Sequence, residues 1–179
     1  MVYLRGCFAV GLILSAHAMA QVASKPQDSS SCRRFVQQYY DWYVPLIQQT
    51  RNGRAWDVAL QRKAEVFDPA LLRALKADSE AAARATDDIV GIDFDPFVGG
   101  QDAANHYEAR RVTRQDNKCS VEVWRAPSTA TAAKSGKPDV VADLALDRGH
   151  WQFLNFRYPD VNDDLVNVLA QLREERQKH

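Results

Sequence analysis

The spacing of apolar residues changes about halfway along the chain. In the first half they recur every three to four residues, which is typical of amphipathic helices. They predict a first helix over 33–50, with Pro45 kinking it or marking its last turns. Its apolar stripe comprises Phe35, Tyr39, Tyr43, Leu46 and Thr50. The stretch 56–67 is ambiguous, and Asp68-Pro69 predicts the start of another helix, because aspartate suits the N-cap and proline the first helical position.

The second half alternates apolar and polar residues with a period of two, as half-buried strands do. Four strands are predicted, at 107–113, 119–125, 140–146 and 151–158. Asp116-Asn117 and Arg148-Gly149 predict two hairpin turns. A last helix is expected from Asp163-Asp164 to about Gln177. Helices, then antiparallel strands, then a helix indicate an α+β fold.

The N-terminus has the pattern of a secretory signal peptide. Arg5 supplies the positive charge, 7–16 is a short apolar run, and Ala18-Met19-Ala20 is a small-x-small cleavage site. The run is too short to span a bilayer. We therefore predict a signal peptide at 1–20, a flexible leader at 21–31, one domain at 32–179, and a periplasmic location.

Two cysteines, Cys32 and Cys119, remain after cleavage. An even pair in an oxidising compartment predicts a disulfide, with two buried free thiols as the alternative. The chain carries 23 basic and 23 acidic residues without a basic stripe, so no nucleic-acid partner is expected.

The segment 89–102 interleaves large apolar residues with acids and ends in paired glycines. Its apolar residues would anchor it while its carboxylates reach a surface. We predict a partner-binding loop here, with Phe97 or Val98 as apolar anchor, Gly99-Gly100 for close backbone approach, and Asp102 at the polar rim. A purely structural turn is the alternative.

Several motifs together give the chain a family resemblance. They are Tyr39-Tyr40-x-Trp42-Tyr43, Leu71-Leu72-x-x-Leu75 followed by Asp78, Ile89 to Asp102, and Gly149-His150-Trp151 leading to Asn155-Phe156-x-Tyr158-Pro159. With these residues the chain resembles the bacterial envelope family called domain of unknown function 3828. The resemblance implies a periplasmic or lipid-anchored domain of cystatin-like or nuclear-transport-factor-2-like type, in which N-terminal helices pack on a curved, here four-stranded, antiparallel sheet. The lipid-attachment cysteine is missing, so anchoring does not carry over, and no catalytic residue carries over either.

The acids of this segment are weak candidates for a metal site. Asp93, Asp95 and Asp102 supply the oxygen ligands that calcium prefers, but their spacing does not fit an EF-hand loop. We favour the alternative that Asp93 and Asp95 cap backbone amides or pair with arginines such as Arg110 and Arg111. No metal or other cofactor is predicted.

Aromatic residues on the first helix offer a second candidate. Tyr39, Tyr40, Trp42 and Tyr43 cannot all face inward on one helix, so some would line a ligand pocket. Core packing is the favoured alternative.

Catalytic chemistry finds little support in the sequence. His106 or His150 would serve as a general base only beside a nucleophile or a metal, and neither is evident. We therefore expect a non-enzymatic periplasmic protein-binding domain that serves an envelope complex or neutralises a secreted toxin. The alternative is a small-ligand or metal-binding domain with an aromatic-lined cavity, and an unrecognised hydrolase ranks third.

Overall fold

The computed structural model describes residues 29–50, 54–85, 90–126 and 136–178. Their elements are, in chain order, α1 (Ser29–Gln49), α2 (Ala55–Arg62), a 3-10 turn (Ala64–Val66), α3 (Pro69–Arg84), β1 (Tyr107–Gln115), β2 (Lys118–Arg125), β3 (Val140–Asp147), β4 (His150–Tyr158), β5 (Asp163–Asp164) and α4 (Leu165–Arg176). The predicted α+β class is confirmed. Over these ranges no helix is both long enough and apolar enough to cross a membrane.

The strands form one antiparallel sheet in the order β1-β2-β3-β4-β5, so each pairs with its neighbour in the sequence. The four predicted strands are confirmed to within two residues at each end. The predicted count of four is wrong, because β5 adds a fifth strand that pairs with Arg157 and Tyr158. This strand consists of two aspartates and has no apolar alternation that could reveal it.

Both predicted hairpin turns are confirmed. Gln115 pairs with Lys118 and Asp147 pairs with His150, which leaves two residues in each turn. Asp116, Arg148 and Gly149 adopt positive φ angles of 53°, 47° and 87°, as two-residue hairpin loops require.

Helix α1 begins earlier than predicted. It starts at Ser29, so residues 29–31 are helical and do not belong to a flexible leader. Pro45 lies in its last turns and the helix continues to Gln49. The predicted signal peptide at 1–20 and the leader as far as residue 28 lie outside the described residues.

The core lies between α1 and the sheet. Val36, Tyr39, Tyr40 and Tyr43 of α1 are buried, as are alternate residues of β2 and β4. The predicted disulfide is confirmed: Cys32 of α1 is bonded to Cys119 of β2, with an S–S distance of 2.04 Å. The helix is thus held covalently on the sheet.

Two aspartates position α3, one at its N-cap and one in its second half. Asp68 caps α3 as predicted, because its Oδ1 accepts hydrogen bonds from the amides of Ala70 and Leu71. Further along α3, Asp78 is fully buried and accepts hydrogen bonds from the Ile92 amide (2.9 Å) and from Arg176 of α4 (2.7 Å). This single side chain positions the start of the segment that forms the candidate site.

Candidate binding cleft beside Asp95

The segment after Ile92 is inserted into the aromatic core. Phe97 is 0% exposed, and its ring lies 5.3 Å from that of Tyr43 and 5.0 Å from that of Phe156. Val98 is 2% exposed. The anchor role predicted for Phe97 or Val98 is therefore wrong, since neither side chain reaches the surface.

Hydroxyl groups of two tyrosines hold the backbone of this segment. The Tyr40 hydroxyl donates to the carbonyl of Phe97, and the Tyr158 hydroxyl donates to that of Pro96 at 2.9 Å. The loop is consequently fixed by α1 on one side and by β4 on the other.

Asp95 is the polar centre of the segment. Its Oδ2 accepts a hydrogen bond from the Tyr43 hydroxyl, and its Oδ1 accepts one from the Phe97 amide at 3.0 Å. Its backbone closes the loop, because its amide donates to Gly100 (3.0 Å) and its carbonyl accepts from Gly99 (2.9 Å). The predicted capping of backbone amides is confirmed for Asp95.

The surroundings of Asp95 disfavour its charge. Burial raises the pKa of the Asp95 carboxyl from 3.8 to about 6, although the hydrogen bonds from Tyr43 and Phe97 act in the opposite direction. Burial likewise raises the pKa of Tyr43 well above its usual value, with the nearby Asp95 charge adding to the effect. The Asp95 carboxyl group therefore titrates in the mildly acidic pH range.

The two glycines of the loop, Gly99 and Gly100, differ in whether the structure has room for a side chain. Gly99 has a φ of +68°, and a Cβ atom there would lie 3.1 Å from the carbonyl oxygen of Asp139. A Cβ atom on Gly100 would meet nothing within 4 Å. Gly99 is required by the fold, whereas Gly100 borders open space, and Asp102 just beyond it is exposed.

A cleft of about 340 Å³ lies between the end of α1, the start of α2 and this loop. The residues whose side chains define its chemistry are Ile47, Thr50, Arg54, Trp56, Asp93, Phe94, Asp95 and Gln101. The Arg54 guanidinium lies 4.4 Å from the Trp56 ring centre and is paired with Asp57 at 2.9 Å. By contrast, the exposed Asp93 carboxylate has no hydrogen-bond or ion-pair partner within the described ranges. The uncompensated charge of the cleft is therefore negative.

The favoured alternative for the aromatic residues of α1, core packing, is confirmed for the three tyrosines, which do not form the hypothetical pocket. Tyr39, Tyr40 and Tyr43 are buried in the core, and the Tyr39 hydroxyl has no hydrogen-bond partner there. Trp42 is half-buried, and the Lys63 ammonium lies 5.7 Å from its ring centre. The cleft is lined instead by the half-buried Phe94 and by Trp56, which is 1% exposed.

The weak metal candidates do not assemble into a site. Both carboxylate oxygens of Asp95 accept protein hydrogen bonds, whereas Asp93 and Asp102 are exposed. In the part of the chain that the structure describes, no group of three or more His, Cys, Asp or Glu residues has an arrangement that could hold a metal ion.

The two candidate histidines lie far apart. Both are exposed. His106 precedes β1, whereas His150 opens β4, and the strand register places these two positions at opposite ends of the sheet. They cannot act on one substrate together.

Several cleft residues were not anticipated from the sequence. Ile47, Thr50, Arg54 and Gln101 carry no motif. They meet because the loop is held against α1, by the Tyr43–Asp95 hydrogen bond among other contacts. Scans against protein-family models, curated proteins and solved structures gave no match. The family resemblance thus stays a prediction.

Proposed function

We propose that this chain is a periplasmic, non-enzymatic domain that binds another protein, as an accessory of an envelope complex or as an immunity protein against a secreted toxin. The observation that carries the proposal is the unpaired Asp93 carboxylate, which lines the same cleft as Phe94. The loop that carries both residues is held by hydrogen bonds to Tyr43 and Tyr158.

The chemistry of the cleft fits a basic side chain of the partner. A carboxylate attracts a lysine or arginine, and the face of an aromatic ring adds cation–π attraction. The loop is tied to α1 and β4, so little conformational entropy is lost when a partner binds. Aromatic residues and arginine are also the residue types most enriched at protein interfaces.

The disulfide supports the location. Disulfides persist in oxidising compartments such as the bacterial periplasm and are rare in the cytosol. The bond between Cys32 and Cys119 is buried in the core and joins two elements, as a structural disulfide does.

Affinity capture from periplasmic extract, followed by binding measurements with the purified captured protein, tests the proposal. We expect Asp93→Lys and Gly100→Arg to weaken binding at least about tenfold without lowering the melting temperature. Asp93 is exposed, and a Cβ atom on Gly100 would meet nothing within 4 Å. Glu65→Lys is the control, since Glu65 is an exposed acid outside the cleft.

Two outcomes would contradict the proposal. If both cleft variants bind the captured protein as tightly as the wild type does, the cleft is not the contact surface. If periplasmic extract yields no specific partner while the chain turns over a substrate, the non-enzymatic proposal itself is wrong.

A further inference from the structure

A second surface, independent of the cleft, lies between α3 and α4. This α3–α4 groove has a volume of about 480 Å³. Its lining comprises Ala70, Leu71, Ala74, Ala77, Leu154, Val166, Leu169 and Ala170, together with Asp68 and three arginines. Leu71 and Leu169 are buried at its base, whereas Val166 is 49% exposed.

One wall of the groove is exposed to solvent. Ala70, Ala74 and Ala77 are exposed on one wall, and Ala70 to Ala77 spans about 10 Å, or two helical turns. Small-molecule sites bury most of their ligand. A groove with an exposed wall of two helical turns instead suits the apolar stripe of a helix laid along it.

The charges around the groove are mainly positive. Arg73 and Arg173 are exposed and form no ion pair with any residue that the structure describes. Arg176 is paired with Asp78, which lies beneath it. Asp68 is the acid of the lining, and its Oδ1 is already occupied by the two amides of its own helix.

We propose that the α3–α4 groove binds an acidic amphipathic helix of a partner protein. The apolar stripe of that helix contacts Ala74, Leu154 and Val166. Acidic residues flanking the stripe pair with Arg73 and Arg173, one on each helix. The site neither uses nor requires the Asp95 cleft.

The test begins with a displayed library of helical peptides. The library keeps a leucine stripe at positions i, i+3, i+4 and i+7 and randomises the flanking positions. We expect selection on the full protein to enrich aspartate and glutamate at those flanks. The recovered peptide is then labelled, and its affinity is measured by fluorescence anisotropy.

Two variants locate the binding site. Arg73→Glu combined with Arg173→Glu should weaken the recovered peptide by about tenfold or more and make binding less dependent on salt. Ala74→Trp should weaken it comparably by filling the groove. Arg33→Glu combined with Arg34→Glu is the matched control, because both arginines are exposed on α1, and binding should not change.

Three results would overturn the proposal. The first is selection without acidic enrichment. The second is peptide binding that the Arg73/Arg173 variant leaves intact. The third is self-association of the chain that Ala74→Trp abolishes, which would assign the groove to a second copy.

Discussion

Asp95 links the first helix to the loop that forms the candidate cleft. Its carboxylate accepts one hydrogen bond from Tyr43 of α1 and one from the Phe97 amide. The same side chain therefore fixes the local turn and its attachment to the core. In the proposed function its contribution is indirect, because it holds the loop that carries Asp93 and Phe94.

Replacing Asp95 should destabilise the fold. Asp95→Ala leaves the Tyr43 hydroxyl and the Phe97 amide without an acceptor, which costs about 1–3 kcal/mol of unfolding free energy. The measurement is urea denaturation at pH 5, where the cost of ionising Asp95 is small. Asp93→Ala is the control and should change the free energy by less than about 0.5 kcal/mol, because Asp93 is exposed and unpaired. Equal midpoints for the two variants would contradict the structural role of Asp95.

The raised pKa of Asp95 predicts a pH dependence of stability. The folded protein holds this proton more tightly than the unfolded chain does, with a pKa of about 6 against 3.8. Unfolding therefore releases the proton, and stability falls as the pH rises through this interval. Compared with Asp95→Asn, the wild type should lose on the order of 2 kcal/mol between pH 4 and pH 7. A difference between the two proteins that is constant with pH would rule out the shift.

Gly99 and Gly100 provide a pair of neighbouring tests. Gly99→Ala should destabilise by about 1–2 kcal/mol, because the left-handed conformation and the contact with the Asp139 carbonyl both oppose a Cβ atom. Gly100→Ala should have little effect, since the space beside it is open. Thermal denaturation of both variants measures the difference. If Gly100→Ala is the more harmful change, the loop geometry is wrong.

At the scale of elements, one glutamine joins α1 to the edge of the sheet. The Gln37 Nε2 donates to the Tyr107 carbonyl at 3.0 Å, and its Oε1 accepts from the Ala109 amide at 2.8 Å. The side-chain amide thus occupies the place of a neighbouring strand along the first residues of β1. It satisfies backbone groups that an edge strand otherwise leaves exposed.

Removing this amide should loosen the edge of the sheet. Gln37→Leu leaves the Ala109 amide and the Tyr107 carbonyl unpaired, and we expect a loss of about 1–2 kcal/mol. The Ala109 amide should also exchange its hydrogen faster, which NMR can follow. Gln38→Leu is the matched control, because Gln38 is exposed on the same helix. Unchanged exchange at Ala109 would show that Gln37 does not protect the edge.

The elements that could be predicted are those whose sequence signal lies within a few neighbouring residues. The alternation in β3 and the Asp68-Pro69 helix start lie within a few residues, so the sequence alone identifies them. The burial of Phe97 is not local, because it depends on Tyr39 and Tyr43, which precede it by more than fifty residues. A phenylalanine beside proline and paired glycines resembles an exposed loop residue until those partners are known. The cleft was missed for the same reason.

At the scale of the whole molecule, the disulfide connects the first helix to the sheet across 87 residues of sequence. Replacing both cysteines with alanine removes this constraint on the unfolded chain. The loop-entropy relation sets an upper limit of about 4–5 kcal/mol for the loss of stability. Denaturant unfolding of the double variant tests this, and reduction of the wild type with dithiothreitol should give a similar loss. A double variant as stable as the oxidised protein would contradict a stabilising role.

The sheet order has a consequence for how the chain is made. Every strand pairs with its neighbour in the sequence, whereas α1 packs on β1 and β2, which are synthesised after α1, α2 and α3 are complete. During translation the aromatic face of α1 emerges before any strand exists to cover it. The hairpins can then form one after another from short-range pairings, which are kinetically favoured. Helix α1 can therefore dock only on strands that come later in the chain, so its packing depends on the C-terminal half.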